Sequence, residues 1–311
     1  MDPVSVPTTL DWRDDVLAGY EQAPIPPATL VRRRAQPERP RAIALHVHGY
    51  NDHFFQPHMA DAFAAAGCVF YAVDMRRAWR SIRPGERAHH IADIAELGLD
   101  ITAAVQAATA DAGELPVIVH AHSTGGLAAA VWAHRTPSPN LAGVILNSPL
   151  FGLRLPRWKQ MAIYGMPTLS RFRAEQVVVP APSHYTAQLI AEGRWPFDPA
   201  WKKPGGQPAT AGWLGATLRA RRAVARGLDI QVPVLVARSD SSGPDRPDNP
   251  LRQSQDVVVD TDAIAAFAPG LGPDVEQLVV EGGIHDLSLS ADGPRAQYLD
   301  AVTAFVDRVL E

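Results

Sequence analysis

The chain has 311 residues, 46% hydrophobic and 20% charged, with a formal net charge of −4. That length can bury a sizeable core in one large or two small domains, and the slightly acidic balance argues against a nucleic-acid partner. Cys68 is the only cysteine, which excludes an internal disulfide and suits a reducing compartment. Met1 to Leu10 lacks the basic start and apolar core of a secretory leader, and no apolar run is long enough to span a membrane. A cytoplasmic protein is expected.

Residues 1–40 are proline-rich, with Thr29 to Arg32 reading as a strand near their end. Ala42 to Val47 is a short β-type run that leads into His48-Gly49-Tyr50-Asn51-Asp52-His53. Gln56 to Ala66 reads as a helix closed by Gly67, and Cys68 to Val73 as the next strand, ending at Asp74 and burying an inert thiol. Ile91, Ile94, Leu97, Ile101 and Val105 recur at three- and four-residue steps, the period of an amphipathic helix. Pro116 to Ala121 and Ala142 to Leu146 are further strands, with an alanine-rich helix to about His134 between them. Alternating strands and helices predict a mostly parallel sheet covered on both faces.

The alternation breaks after Pro149. Residues 155–228 carry prolines, four of the seven tryptophans (Trp158, Trp195, Trp201 and Trp213) and a helical piece over Arg157 to Tyr164. An aromatic insertion between two sheet strands predicts a cap over the carboxyl ends of the strands, where open α/β sheets bind ligands. Residues 1–154 and 229–311 then form the core. Most of the cap's aromatics are expected to pack within the cap. The basic run Arg219 to Arg226 reads as a solvated helix face. The alternation resumes with the strand Val232 to Val236, a helix over Asp260 to Phe267, a strand over Val275 to Val280, and a closing helix from about Arg295 to Leu310.

The chemistry centres on Ala121-His122-Ser123-Thr124-Gly125-Gly126. A strand, a sharp turn and a helix meet there, and the turn needs small residues two places either side of its serine, which Ala121 and Gly125 supply. Ser123 is therefore a candidate nucleophile. A serine hydroxyl needs an imidazole to take its proton and a carboxylate to orient that imidazole. In strand–turn–helix nucleophile sites the acid and then the histidine follow the serine. His285 follows the last strand through Gly282-Gly283, whereas His184 falls in the insertion. For the acid, Asp240 directly follows the strand at 232–236. Asp256 follows the polar stretch Ser239 to Ser254, which reads as a decorated loop and favours Asp256. Asp286 is expected to point into its own loop. The backbone N–H groups of Thr124 and Tyr50 are placed to hold an oxyanion. His48 is expected to brace that loop. The pairs His46-x-His48 and His120-x-His122, with His53 and His58, invite a metal reading. No cysteine or paired-carboxylate motif completes a ligand set, so neither metal nor cofactor is expected.

His48-Gly49-Tyr50-Asn51-Asp52-His53, Ala121 to Gly126, Asn147-Ser148-Pro149, Asp256-Val257-Val258-Val259-Asp260 and Gly282-Gly283-Ile284-His285-Asp286 together resemble the α/β-hydrolases of the monoacylglycerol lipase and lysophospholipase-like group, the S33 type. The resemblance runs from about residue 28 onward and is loosest in the cap. It implies the α/β-hydrolase fold, with a sheet of the eight-stranded type and a helical cap between two late strands. It implies a Ser123–Asp256–His285 triad, oxyanion donors at Tyr50 and Thr124, and cleavage of a carboxylic ester with an apolar acyl group through an acyl-enzyme. The departures are Ala121, where relatives carry glycine, and Met75 to Ser81, which lacks the glycines many relatives have there. Related capped enzymes act as aminopeptidases, which need an acidic anchor such as Glu175 or Glu192. Non-catalytic binding proteins on this fold usually lose a triad member, and here all three types are present.

Overall fold

The computed structural model describes residues 9–153, 166–179 and 183–311. The expected helix at 157–164 and Trp158 lie outside them. In chain order the elements are β1 (Arg13–Asp14), β2 (Tyr20–Ile25), β3 (Ala28–Arg33), β4 (Ala42–Val47), α1 (Pro57–Ala65), β5 (Cys68–Asp74) and α2 (Ala95–Ala112). They continue with β6 (Val117–His122), α3 (Ser123–Arg135), β7 (Leu141–Asn147), α4 (Met166–Phe172), β8 (Val177–Val179), α5 (His184–Glu192), β9 (Ala209–Thr210) and α6 (Ala211–Val224). The last are β10 (Val234–Ser239), α7 (Thr261–Phe267), β11 (Val275–Val280) and α8 (Asp292–Leu310).

Nine strands form one sheet in the order β1-β2-β3-β5-β4-β6-β7-β10-β11. Six of them, from β5 to β11, run parallel, and β1 to β3 are added antiparallel at one edge. This is the α/β-hydrolase architecture. It carries one strand more than the eight expected, because the two-residue β1 pairs with β2.

The central strands are buried on both faces, so their side chains divide strictly by parity. Ile43, Leu45, Val117, Val119, Val144 and Val234 face α2 and α3 in one apolar cluster. Ala44, Phe70, Ile118, Ile145 and Leu235 face Phe63 of α1 and Tyr298 and Phe305 of α8 in the other. Gly143 permits the second contact, since a β-carbon there would lie 2.9 Å from the Phe305 ring.

The helix at α2 begins later than the apolar period predicts. Ile91 and Ile94 are buried, but Glu96 accepts from the N–H groups of Ala92 and Asp93 and Asp93 accepts from Ala95, closing the helix start there. Between β7 and β10, β8 and β9 form a separate two-stranded sheet. α6 buries Ala216, Ala220 and Val224 in the same cluster as α2 and α3. Arg219 and Arg221 are not free on a solvated face, because Arg219 donates to Ala92 O and Ser170 and Arg221 to Phe151 O. Among the described residues, no helix is long and apolar enough to cross a membrane.

Candidate active site

β6 ends at His122 and α3 begins at Ser123 with no intervening residue. Ser123 pays for that corner with a left-handed backbone, φ 53°, a conformation that β-substituted residues adopt only under constraint. The constraint is close packing. A β-carbon on Gly125 would lie 2.9 Å from Val47 O and closer still to His48 O. One on Gly49 would lie 3.0 Å from Ser123 Cβ. The ends of β4 and β6 therefore press together around the serine.

The structure brings Ser123, His285 and Asp256 into one hydrogen-bonded chain. Ser123 Oγ donates to His285 Nε2 at 3.0 Å, and His285 Nδ1 donates to Asp256 Oδ2 at 2.8 Å. Asp256 is fully buried and its other oxygen accepts from the N–H groups of Val258 and Val259 at 2.7 and 2.9 Å. Those bonds fix the carboxylate plane, which in turn fixes the imidazole tautomer. Tyr50 and Thr124 line one small cavity beside the serine, with His48, Met75, Leu97, His89 and Trp213. Thr124 lies in the first turn of α3, where an N–H has no helical acceptor.

Residues 38–242 match the model of the family described as Serine aminopeptidase, S33. The chain belongs to this family. Over 111 residues it is 34% identical to a monoacylglycerol lipase of Mycolicibacterium smegmatis, a stretch that spans 35% of this chain and 38% of that lipase's length. Its fold is similar to that of a soluble variant of monoglyceride lipase from Saccharomyces cerevisiae, solved with a substrate analogue. The TM-score is 0.70 at 14% identity, over 99% of this chain and 97% of that one. It is similar also to Paleococcus ferrophilus monoacylglycerol lipase, with a TM-score of 0.66 at 17% identity over 88% of this chain and 98% of that one.

In this S33-family chain the other candidate side chains lie elsewhere. Asp240 accepts from Gly282 N at 3.0 Å and does not reach His285. His184 heads α5, with its N–H on Asp245. Glu175 is exposed, and Glu192 is held by Gln188 and Gln253. His48 braces its loop as expected: Nδ1 donates to Gly49 O at 2.7 Å and Nε2 accepts from Met75 N at 3.1 Å. Because Gly49 O belongs to the peptide that ends in Tyr50 N, this bond orients that N–H. Arg77 takes φ 57° within the glycine-poor stretch after β5. Its guanidinium is held by His90 O and Glu96.

Sequence reasoning missed a buried polar assembly behind the imidazole. Asp286 reaches its own loop, accepting from Ser288 N and Oγ, but it also accepts from Asn147 Nδ2 at 2.8 Å and Gln56 Nε2 at 3.2 Å. Asn147 Oδ1 accepts from Leu287 N, and its carbonyl accepts from His122 Nδ1. The histidine loop, the end of β7 and the residue before Ser123 are thus tied together. Burial would raise the Asp286 carboxyl, but His122 and these donors hold it below its ordinary range. The sequence signal was the Asn147-Ser148-Pro149 motif, whose amide has no partner until the fold supplies one.

Asp52, His122 and Asp286 bring donor atoms within 4.8 Å of one another. That space holds the Lys202 ammonium, while Asp52 Oδ2 is buried without a hydrogen-bond partner among the described residues. Lys202 Nζ sits 2.7 Å from Asp52 Oδ1, and every Asp286 oxygen has a donor. Burial raises the Asp52 carboxyl, but the Lys202 ammonium together with His122 and His48 outweighs this, holding it down to about 2. His46 and His120 face each other, Nδ1 to Nδ1 at 2.8 Å, and His120 Nε2 pairs with Tyr298 Oη at 2.6 Å. These rings bond to each other in the core.

Among the described residues, the insertion's tryptophans pack on rings of the core. Trp213 lies 4.4 Å from the Tyr50 ring, Trp195 4.8 Å from His58 and Trp201 5.3 Å from His53. α5 contributes Tyr185, whose ring meets His285 edge-on at 5.7 Å and whose hydroxyl accepts from Asp286 N at 3.1 Å.

Proposed function

We propose that the protein is a serine hydrolase of carboxylic esters, working through an acyl-enzyme. The observation that carries this is the continuous bonded chain from Ser123 Oγ through His285 to Asp256, with Ser123 in a left-handed corner. Ser123 Oγ attacks the ester carbonyl as its proton passes to His285 Nε2, and Asp256 stabilises the imidazolium. The carbonyl oxygen becomes an oxyanion received by the N–H groups of Tyr50 and Thr124, interactions strongest where the charge develops. Collapse of the tetrahedral intermediate breaks the bond to the leaving alkoxide, which takes the proton from His285. Water, deprotonated by the same nitrogen, then attacks the acyl-enzyme and releases the acid and Ser123.

Residues 155–228 serve as the cap over this site, their last helix α6 also covering the sheet. The similarity to monoacylglycerol lipases favours an apolar acyl group on a glyceride- or lysophospholipid-type ester. The single buried thiol of Cys68 suits a cytoplasmic setting.

The test is hydrolysis of p-nitrophenyl esters from acetate to laurate by wild type and Ser123→Ala. Activity lost in the variant supports the mechanism, and its optimum reads the acyl pocket's depth. A wild type inert on every ester, or an active Ser123→Ala, overturns it.

A further inference from the structure

The loop that carries the Tyr50 oxyanion donor is fastened from outside the core. Tyr50 Oη donates to Pro208 O at 3.0 Å. Asn51 clasps one residue of the insertion through both ends of its amide: Nδ2 donates to Lys203 O and Oδ1 accepts from Lys203 N, each at 3.1 Å. The same Nδ2 lies 3.3 Å from Thr186 Oγ1 on α5. The next residue, Asp52, holds Lys202 in an ion pair whose side chains are 2% and 5% exposed. Three successive residues of the loop thus take partners from the insertion.

Asn51 also carries backbone strain. Its φ is 54°, tolerable for asparagine when the side chain is held. His48 fixes one end of the Gly49–Tyr50 peptide from within the core. The insertion fixes the residue that follows. Thr186 adjoins Tyr185, whose ring packs on His285 and whose hydroxyl accepts from the Asp286 N–H.

We infer that Asn51 is a positioning residue which sets the Tyr50 oxyanion donor only while the cap is seated on the loop. The inference rests on the proposed roles of Ser123 and Tyr50. Docking of the cap through Lys203 and Thr186 then completes the oxyanion site. Ground-state binding of the ester does not depend on this contact. The deficit of a loosened loop falls on the transition state.

Asn51→Gly removes the amide yet accepts the left-handed backbone at no cost. Thr186→Val removes a partner on the cap side and leaves the loop sequence intact. Both are compared with wild type below every variant's melting transition. The readouts are kcat and KM on p-nitrophenyl butyrate and the affinity of an alkyl trifluoromethyl ketone. That ketone's carbonyl carbon bonds Ser123 Oγ, the hydroxyl proton passes to His285, and its oxygen becomes an oxyanion needing both donors. Complete loss of one oxyanion donor costs about 10²–10³-fold in kcat, so a loosened one in Asn51→Gly is expected to cost about 10-fold. The ketone's affinity falls in parallel, and KM stays within about twofold. Thr186→Val moves the same way by a smaller factor. A fall absent from either variant, or confined to KM, overturns the inference. Labelling of wild-type Ser123 by a fluorophosphonate separates the failures: labelled Ser123 with unchanged variants defeats the positioning role alone, and an unlabelled wild type defeats the catalytic reading and this inference with it.

Discussion

Replacing glycine by alanine at two helical positions should move the protein in opposite directions, and the surroundings of each give the sign. Gly98 lies inside α2, where a β-carbon would meet Trp132 Cδ1 at 3.7 Å and Trp132 Cβ at 3.8 Å, ordinary van der Waals contact. Alanine there removes the helix-interior cost of glycine and should stabilise by about 0.5–1 kcal/mol. Gly125 lies in the first turn of α3, where the same methyl would stand 2.9 Å from Val47 O and 3.1 Å from the His48 carbonyl carbon. Carbon contacts settle near 3.5–4 Å, so β4 and α3 must separate by about 1 Å. Overpacking of that kind costs about 1–3 kcal/mol. The same displacement moves Ser123 away from Tyr50 and His285, and a shift of about 1 Å in reacting groups can cost about 10²-fold in rate. Urea melts of both variants, with kcat on p-nitrophenyl butyrate, give the test. Gly98→Ala should be more stable and fully active, and Gly125→Ala less stable and nearly inactive. A Gly125→Ala protein with wild-type stability and rate would refute the packing argument for the corner.

Other consequences can be measured independently. Asp256→Asn should lower kcat by about 10⁴-fold by reversing the tautomer of His285, whereas Asp240→Asn should leave kcat within about twofold because its carboxylate caps Gly282 N; steady-state kinetics decide between them. Arg80 pairs with Asp15 and Asp74, all three side chains at most 1% exposed. Arg80→Met strands two buried carboxylates and should cost about 3–5 kcal/mol in a denaturant melt. Burial pushes His53 down from 6.5 to about 4, so the unfolded chain takes up this proton first as the pH falls. Stability from this group is full above pH 6.5, declines through the interval and levels off below pH 4, a total of about 3 kcal/mol. Melts of wild type and His53→Phe across pH 7.5 to 4 should show a shallower decline in the variant, whose ring lacks the unpartnered Nδ1.

Local rules carried much of this reading, and where they stopped is physical. The corner at Ser123 was legible because backbone strain demands small neighbours in fixed positions. The strand at 275–280 and the helix closed by Gly67 were legible from local sequence. The hairpin of β2 and β3 was half legible: Thr29 to Arg32 has β character, whereas Tyr20 to Ile25 is interrupted by Pro24, and its pairing with β3 decides its structure. Asp240 and Asp256 follow the same strand, and the decorated loop and the Asp256-to-Asp260 motif favoured Asp256; the fold brings that carboxylate to the imidazole. Asn147, Asn51 and Lys202 were illegible for a related reason. An amide or ammonium advertises nothing until partners 135 to 152 residues away arrive beside it. The arginines at 219 and 221 misled in the other direction, because a basic helical stripe looks solvated until carbonyls of Ala92 and Phe151 are placed against it.

The most direct test is to treat the wild-type chain with a fluorophosphonate at pH 7.5 and map the adduct by peptide mass spectrometry. A single adduct on Ser123, formed at a rate that drops sharply in His285→Ala, is the result the mechanism requires. An unmodified Ser123, or one labelled as fast without His285 as with it, would contradict the claim that this serine is a nucleophile activated by that histidine.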